Sequence, residues 1–134
     1  VSGELRLRRE IVKILKPLHG IPVENIVKTG TPDVEYCGGW IEVKRTREWP
    51  ARATTVVSLD HDLTLEQRIW IKKRSKVGGT VWVLIQIDKA YMLFRGLDAV
   101  ELVGTANKQQ LIAGATHSCI GLAALKRNLL EWVK

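Results

Sequence analysis

The chain is poor in the residues that staple or anchor a protein. Its 134 residues hold two cysteines, Cys37 and Cys119, far apart and outside any C-x-x-C pair. That excludes a disulfide framework or a thiolate zinc site and fits a reducing compartment. No apolar run approaches the roughly 20 residues of a membrane span, and the N-terminus has no signal-like pattern. A cytoplasmic location with no membrane partner is therefore expected. Repeats, low-complexity tracts and linkers are missing too, so residues 1–134 are expected to form one domain. Acids are outnumbered: 14 Asp and Glu face 21 Lys and Arg, a net charge of +7. Such an excess favours polyanionic partners, nucleic acid ahead of an acidic membrane. What is present is ordinary for a globular protein, 46% apolar and 26% charged. A chain of this length can bury its own core without staples.

Helical spacing of Leu7, Ile11, Ile14, Leu15 and Leu18 predicts a first helix over 4–18, ended by Pro17 to Gly20. Residues 22–28 read as a strand leading into the turn Thr29-Gly30-Thr31-Pro32. A further short strand is expected over 54–59. Asp60-His61-Asp62 reads as a polar turn, because neighbours on an extended chain cannot all face one ion. Thr64-Leu65-Glu66-Gln67 matches a capping box that opens a helix over 65–76, closed by Gly78-Gly79. Residues 80–87 are almost continuously apolar and β-branched, the pattern of a central strand covered on both faces. An adjoining strand over 91–95 follows, then a short helix within 96–114 that includes 109–113. A last amphipathic helix carries Leu122, Leu125, Leu129 and Trp132.

The most informative stretch runs from Gly30 to Lys44. It reads as two extended segments joined by Cys37-Gly38-Gly39, with Gly38-Gly39 expected as a two-residue loop at positive φ. That register sets Asp33 opposite Lys44 and Glu35 opposite Glu42. Because strand side chains alternate, three carboxylates and one amine then share a face, an arrangement costly without a compensating cation. A divalent metal held by carboxylate oxygens, with an ammonium beside it, resolves the conflict. Hard oxygen donors favour Mg²⁺ or Mn²⁺ over zinc. Asp33 and Glu42 would be carboxylate ligands, with the Val43 carbonyl completing the set. Lys44, on the same side as Glu42, would orient a water or stabilise charge developing on a phosphoryl group.

Two basic stretches flank this segment. Arg45, Arg47 and Arg52 lie around Trp49, a mixture suited to phosphate contact and base stacking. Lys72, Lys73, Arg74 and Lys76 crowd the end of the second helix. There they complement its dipole and offer a surface to phosphates.

Gly30-Thr31-Pro32-Asp33, then Glu42-Val43-Lys44, then Gln67 on a capped helix, resembles the PD-(D/E)XK signature of the restriction-endonuclease-like nuclease superfamily. It is most similar to the VRR-NUC and Holliday-junction-resolvase-like branch, over residues 4–95. Departures are the long segment between Lys44 and Gln67 and the acid Glu35 at a position usually apolar. The resemblance implies an α/β fold: a restriction-endonuclease-like core in the order α-β-β-β-α-β, with a mixed central sheet flanked by helices. Residues 4–95 would be that core and 96–134 an extension with a C-terminal strand and helix. It further implies an Mg²⁺-dependent DNA endonuclease acting on branched or structured DNA, in recombination, repair or phage genome processing. Asp33, Glu42, Lys44 and Gln67 would be its catalytic residues. One more metal-binding acid would come from the first helix, Glu4 ahead of Glu10, although a first-turn Glu4 also simply complements the helix dipole. Gln67 has two readings in the same way, pocket residue and helix cap. A homodimer is implied by the resolvase-like relatives alone. A non-catalytic nucleic-acid-binding module, an RNA-directed nuclease and a structural subunit with surface ion pairs remain alternatives.

Overall fold

A computed structural model describes residues 2–25, 27 and 29–134. Among these, one six-stranded sheet has its strands in sequence order: β1 (Ile21–Pro22), β2 (Val34–Tyr36), β3 (Gly39–Thr46), β4 (Val81–Ile87), β5 (Ala90–Arg95) and β6 (His117–Ile120). Only β3 and β4 run parallel. Parallel neighbours need a crossover, and α2 (Leu65–Lys76) lies within it. Four more helices are α1 (Gly3–Ile14), α3 (Gly96–Leu102), α4 (Lys108–Gly114) and α5 (Leu122–Val133). The fold is therefore α/β with a mixed sheet. No helix among the described residues is long and apolar enough to cross a membrane.

Alternation along the central strands divides the core into two layers. Ile41, Val43, Trp82 and Leu84 point to one face, where they meet Leu7 and Ile11 of α1 and Leu125 and Leu129 of α5. Val83, Ile85, Met92 and Phe94 point to the other, against Ile71 of α2, Ala99 of α3 and Leu111 of α4. The Tyr36 hydroxyl ties the first layer together. It donates to the Val133 carbonyl (3.0 Å) and accepts from Trp82 Nε1 (3.1 Å). The C-terminal segment belongs to these same layers, since β6 extends the sheet beyond β5 and α5 packs beside β6 and α1 in the first of them.

Several expectations are corrected. The hairpin loop is Cys37-Gly38, with Tyr36 paired to Gly39 and Glu35 to Trp40, and neither Gly38 nor Gly39 has a positive φ. Gly39 serves a close approach instead. A Cβ there would lie 2.4 Å from the Thr80 carbonyl oxygen, which accepts from the Trp40 N–H. Continuing this register brings Asp33 level with Glu42 rather than Lys44. The shift preserves strand parity, so the faces stay as expected. Of the strand expected over 22–28, Ile21–Pro22 pairs with β2 and Val23 donates to the Asp33 carbonyl; Ile26 and Lys28 lie outside the described residues. No strand forms over 54–59. Val56 makes one isolated bridge to Asn107, and the buried Val57 docks on the Ala106 carbonyl, so this β-branched pair fastens a loop. The span 96–114 holds two helices, the second opened by an Asn107–Gln110 capping box.

Gly30 is the hinge of the approach to Asp33. Its φ is +89°, and a Cβ would lie 2.5 Å from the Glu66 carbonyl oxygen at the start of α2. Gly30→Ala combines a disfavoured backbone with a backbone clash, and should cost about 2 kcal/mol or more by urea unfolding. A variant as stable as the parent would show that this contact does not hold loop and helix together.

Candidate active site

Most charged side chains of this protein face water, as their solvation demands. Among the described residues the two buried charged groups are Glu42 and Lys44, 1% and 3% exposed. Both sit on β3, facing the layer that holds Val83 and Ile85, their partners on β4. Lys44 Nζ lies 3.6 Å from Glu42 Oε2. The same oxygen accepts from Gln67 Nε2 at 3.2 Å.

Gln67 fulfils both of its readings at once. Its backbone N–H donates to Thr64 Oγ1 (3.1 Å), and its Oε1 accepts from the Thr64 N–H (2.9 Å). Only the amide nitrogen is then left to point at Glu42, which settles the orientation of the side chain on chemical grounds. The cap therefore aims a donor into the site.

Asp33 stands beside this pair, half-buried at the end of the Gly30–Pro32 turn. Its Oδ2 accepts from the Val43 N–H (2.9 Å), and its Oδ1 lies 3.9 Å from Arg8 Nη1. In an extended strand one residue's N–H and C=O leave toward the same edge. The Val43 carbonyl therefore faces the edge on which Asp33 sits.

Glu42 Oε1 is buried and has no hydrogen-bond partner. Nearby Asp33 cannot satisfy it, because two ionised carboxylates have no donor between them. The Glu42 carboxyl is consequently pushed well above its ordinary value of 4.5. Burial is the largest cause, followed by the charge of Asp33 and the hydrogen bond that a protonated Glu42 can donate to Asp33; Lys44 pulls in the opposite direction, and Glu4 adds a smaller upward push. A buried carboxylate left short of partners resolves its deficit by taking up a proton or by binding a cation.

Glu4 shares a small cleft of about 170 Å³ with Arg8 and Asp33, and its Oε2 lies 3.5 Å from His61 Nδ1. Glu10 faces elsewhere. It lies 3.8 Å from Lys13 and lines a separate basic cleft on the far side of α1. Among the described residues no three His, Cys, Asp or Glu side chains converge closely enough to hold a metal by themselves. Asp33 lies close enough to Glu42 to act on its carboxyl, and the Val43 carbonyl faces the edge on which Asp33 sits. These are hard oxygens, including a buried orphan, and fit Mg²⁺ or Mn²⁺. Asp60, His61 and Asp62 diverge to Arg45, Glu4 and Arg68, as a polar turn would.

The basic residues divide. Arg45 lies on the opposite face of β3 from Lys44 and pairs with Asp60 at 3.3 Å, so it does not reach the carboxylates. Arg47 and Arg52 are exposed in the loop beyond β3, and the partly buried Trp49 packs on the core and carries Lys108 5.0 Å from its ring. Lys72, Lys73, Arg74 and Lys76 are exposed along α2, and Arg74 lies over the Trp70 ring. Sequence reasoning missed Arg8 as a partner of Asp33. The available signal was its i,i+4 spacing from Glu4, which puts both on one face of α1.

Comparison of the chain with protein-family models, curated proteins and solved structures gave no match.

Between 4.5 and its raised value, Glu42 binds more protons folded than unfolded, so its contribution to stability falls as pH rises. Relative to Glu42→Gln, the metal-free protein should gain melting temperature as pH is lowered from about 8 toward 5. A difference that is flat or runs the other way would contradict the shift.

Proposed function

We propose that this protein is a metal-dependent DNA endonuclease of the PD-(D/E)XK, restriction-endonuclease-like superfamily, on its VRR-NUC and Holliday-junction-resolvase-like branch. Its substrates are branched or structured DNA in recombination, repair or phage genome processing. One observation carries the reading: Glu42 is buried with Asp33 and Lys44 beside it and one carboxylate oxygen left without a partner. The hairpin, the Glu42-Val43-Lys44 strand, the capped helix bearing Gln67 and the buried β4 also follow in the order the superfamily uses.

Asp33, Glu42 and the Val43 carbonyl would hold Mg²⁺ or Mn²⁺, with Glu4 at the margin of the same cleft. When bound, such an ion neutralises phosphoryl charge and makes water more acidic. The remaining work falls to the chain. Lys44 orients the attacking water and stabilises negative charge growing on the phosphoryl oxygens, a task suited to a compact ammonium. Gln67 fixes the Glu42 carboxylate by its amide, and Arg8 with the Val43 N–H fixes Asp33; these are positioning roles. Lys72, Lys73, Arg74, Lys76, Arg47 and Arg52 attract the phosphate backbone. Two antiparallel strands would be cut by a homodimer, one active site for each.

A second reading has an observation of its own. The lack of a ready three-side-chain metal cluster among the described residues suits a nucleic-acid-binding module that keeps the fold without the chemistry.

Incubation with linear, flapped and four-way-junction DNA separates the two. With Mg²⁺ or Mn²⁺ the parent should cut, and chelator should stop it. Lys44→Ala and Asp33→Ala should each lower the rate on the order of 10²-fold or more while DNA binding persists. Cutting that survives both substitutions would reject the site, and binding without cutting in either metal would establish the module.

A further inference from the structure

A cleft of about 700 Å³ opens along α2, from Thr29 and Glu66 at its start to Lys76 and Val77 at its end. Its walls are Ile69 and Trp70, its rim carries Lys73, Arg74 and Lys76, and Glu66 is the one acid among its described lining. Trp70 does not stand alone. Trp40 meets it edge-on at 5.2 Å, and the Arg74 guanidinium lies 4.5 Å from the Trp70 ring centroid and 5.4 Å from that of Trp40. Two indoles and an arginine thus form a platform, with Arg74 itself exposed.

The platform is tied to the candidate active site through both of its elements. Trp40 precedes Glu42 by two residues on the same face of β3, about 7 Å along the strand. Trp70 follows Gln67 by three residues on α2, an axial rise of about 4.5 Å. Gln67 in turn holds Glu42. A strand whose phosphate reached the carboxylates would therefore pass a neighbouring nucleotide over the cleft.

We propose that this cleft is a subsite for an unpaired base of a DNA strand, held next to the phosphate that is cut. The inference rests on the nuclease reading above and narrows its substrate to DNA with a single-stranded segment at the cleavage position. An apolar wall with an aromatic ring and a planar guanidinium takes the flat face of any base, while the rim ammonium groups take its phosphates. A base inside a duplex cannot enter, because its faces are already stacked and its edge paired. The charge of the rim, three cations against one acid, excludes a cationic or neutral partner as the preferred occupant.

Binding of labelled 12-nucleotide DNA, measured in chelator so that no cutting intervenes, tests the subsite apart from the chemistry. The intact protein should bind a base-bearing single strand on the order of tenfold more tightly than an abasic strand of equal length and charge. Trp70→Ala should remove that difference and leave abasic binding unchanged. Because Trp70 also packs on the core, Ile69→Glu, at an exposed position on the cleft wall, serves as the second variant and should likewise remove it. Equal affinity for base-bearing and abasic strands, or a difference that survives both substitutions, would overturn the subsite. Base-dependent binding by a protein that never cuts would keep the subsite and reject the enzyme; metal-dependent cutting without base dependence would do the reverse.

Discussion

Everything distinctive here follows from placing a carboxylate and an ammonium in the middle of a buried strand. Removing two charges from water costs several kcal/mol per ion, and their mutual attraction offsets this only where the remaining lone pairs are met. Here they are not all met. Lys44 and Gln67 both serve Glu42 Oε2, and Asp33 adds like charge, so Oε1 is left in deficit. An apolar pair at these two positions would continue the pattern of Val83 and Ile85 next door. The fold thus tolerates a local loss of stability at one place, on its most central pair of strands, which is how functional sites commonly differ from the structure around them.

The rest of the architecture positions that pair. A parallel β3–β4 ladder requires the α2 crossover, and the capping box at the start of α2 is what directs the Gln67 amide onto Glu42. Gly30, pressed against the Glu66 carbonyl, sets where the chain turns into Asp33. The tail then closes the opposite layer, with α5 fixed through Tyr36 and Trp82. Charge is partitioned accordingly: acids converge where the two strands meet, and cations lie along α2 and in the loop after β3. On the proposed reading, a polyanion approaching this acidic centre would be repelled by it, and the flanking cations would offset that repulsion.

Strong periodicity made most of the scaffold legible. The continuous apolar run over β4 and the capped α2 appear almost where the residues put them, because burial on both faces and a reciprocal cap leave little choice. The hairpin register differs from the expected one for a definite reason. Two adjacent glycines look like a turn, yet Gly39 is small because the Thr80 carbonyl presses on it. The face assignment survived because the shift kept its parity. The C-terminal strand that the resemblance implies had no position in the sequence, because β6 only alternates half-buried and exposed residues around His117 and Cys119. In the candidate site, Asp33, Glu42, Lys44 and Gln67 could be drawn together from spacing and resemblance. Arg8 and the Trp40–Trp70–Arg74 platform could not, since their partners lie on separate elements whose juxtaposition no local pattern encodes.

The central claim is that Asp33, Glu42 and the Val43 carbonyl form an oxygen site for a divalent ion. Crystals soaked in manganese chloride and measured at the manganese absorption edge address it directly. An anomalous peak within about 2–2.5 Å of a carboxylate oxygen of both Asp33 and Glu42 is the expected result. A map with no peak beside either group, at a pH where the parent binds DNA, would contradict it.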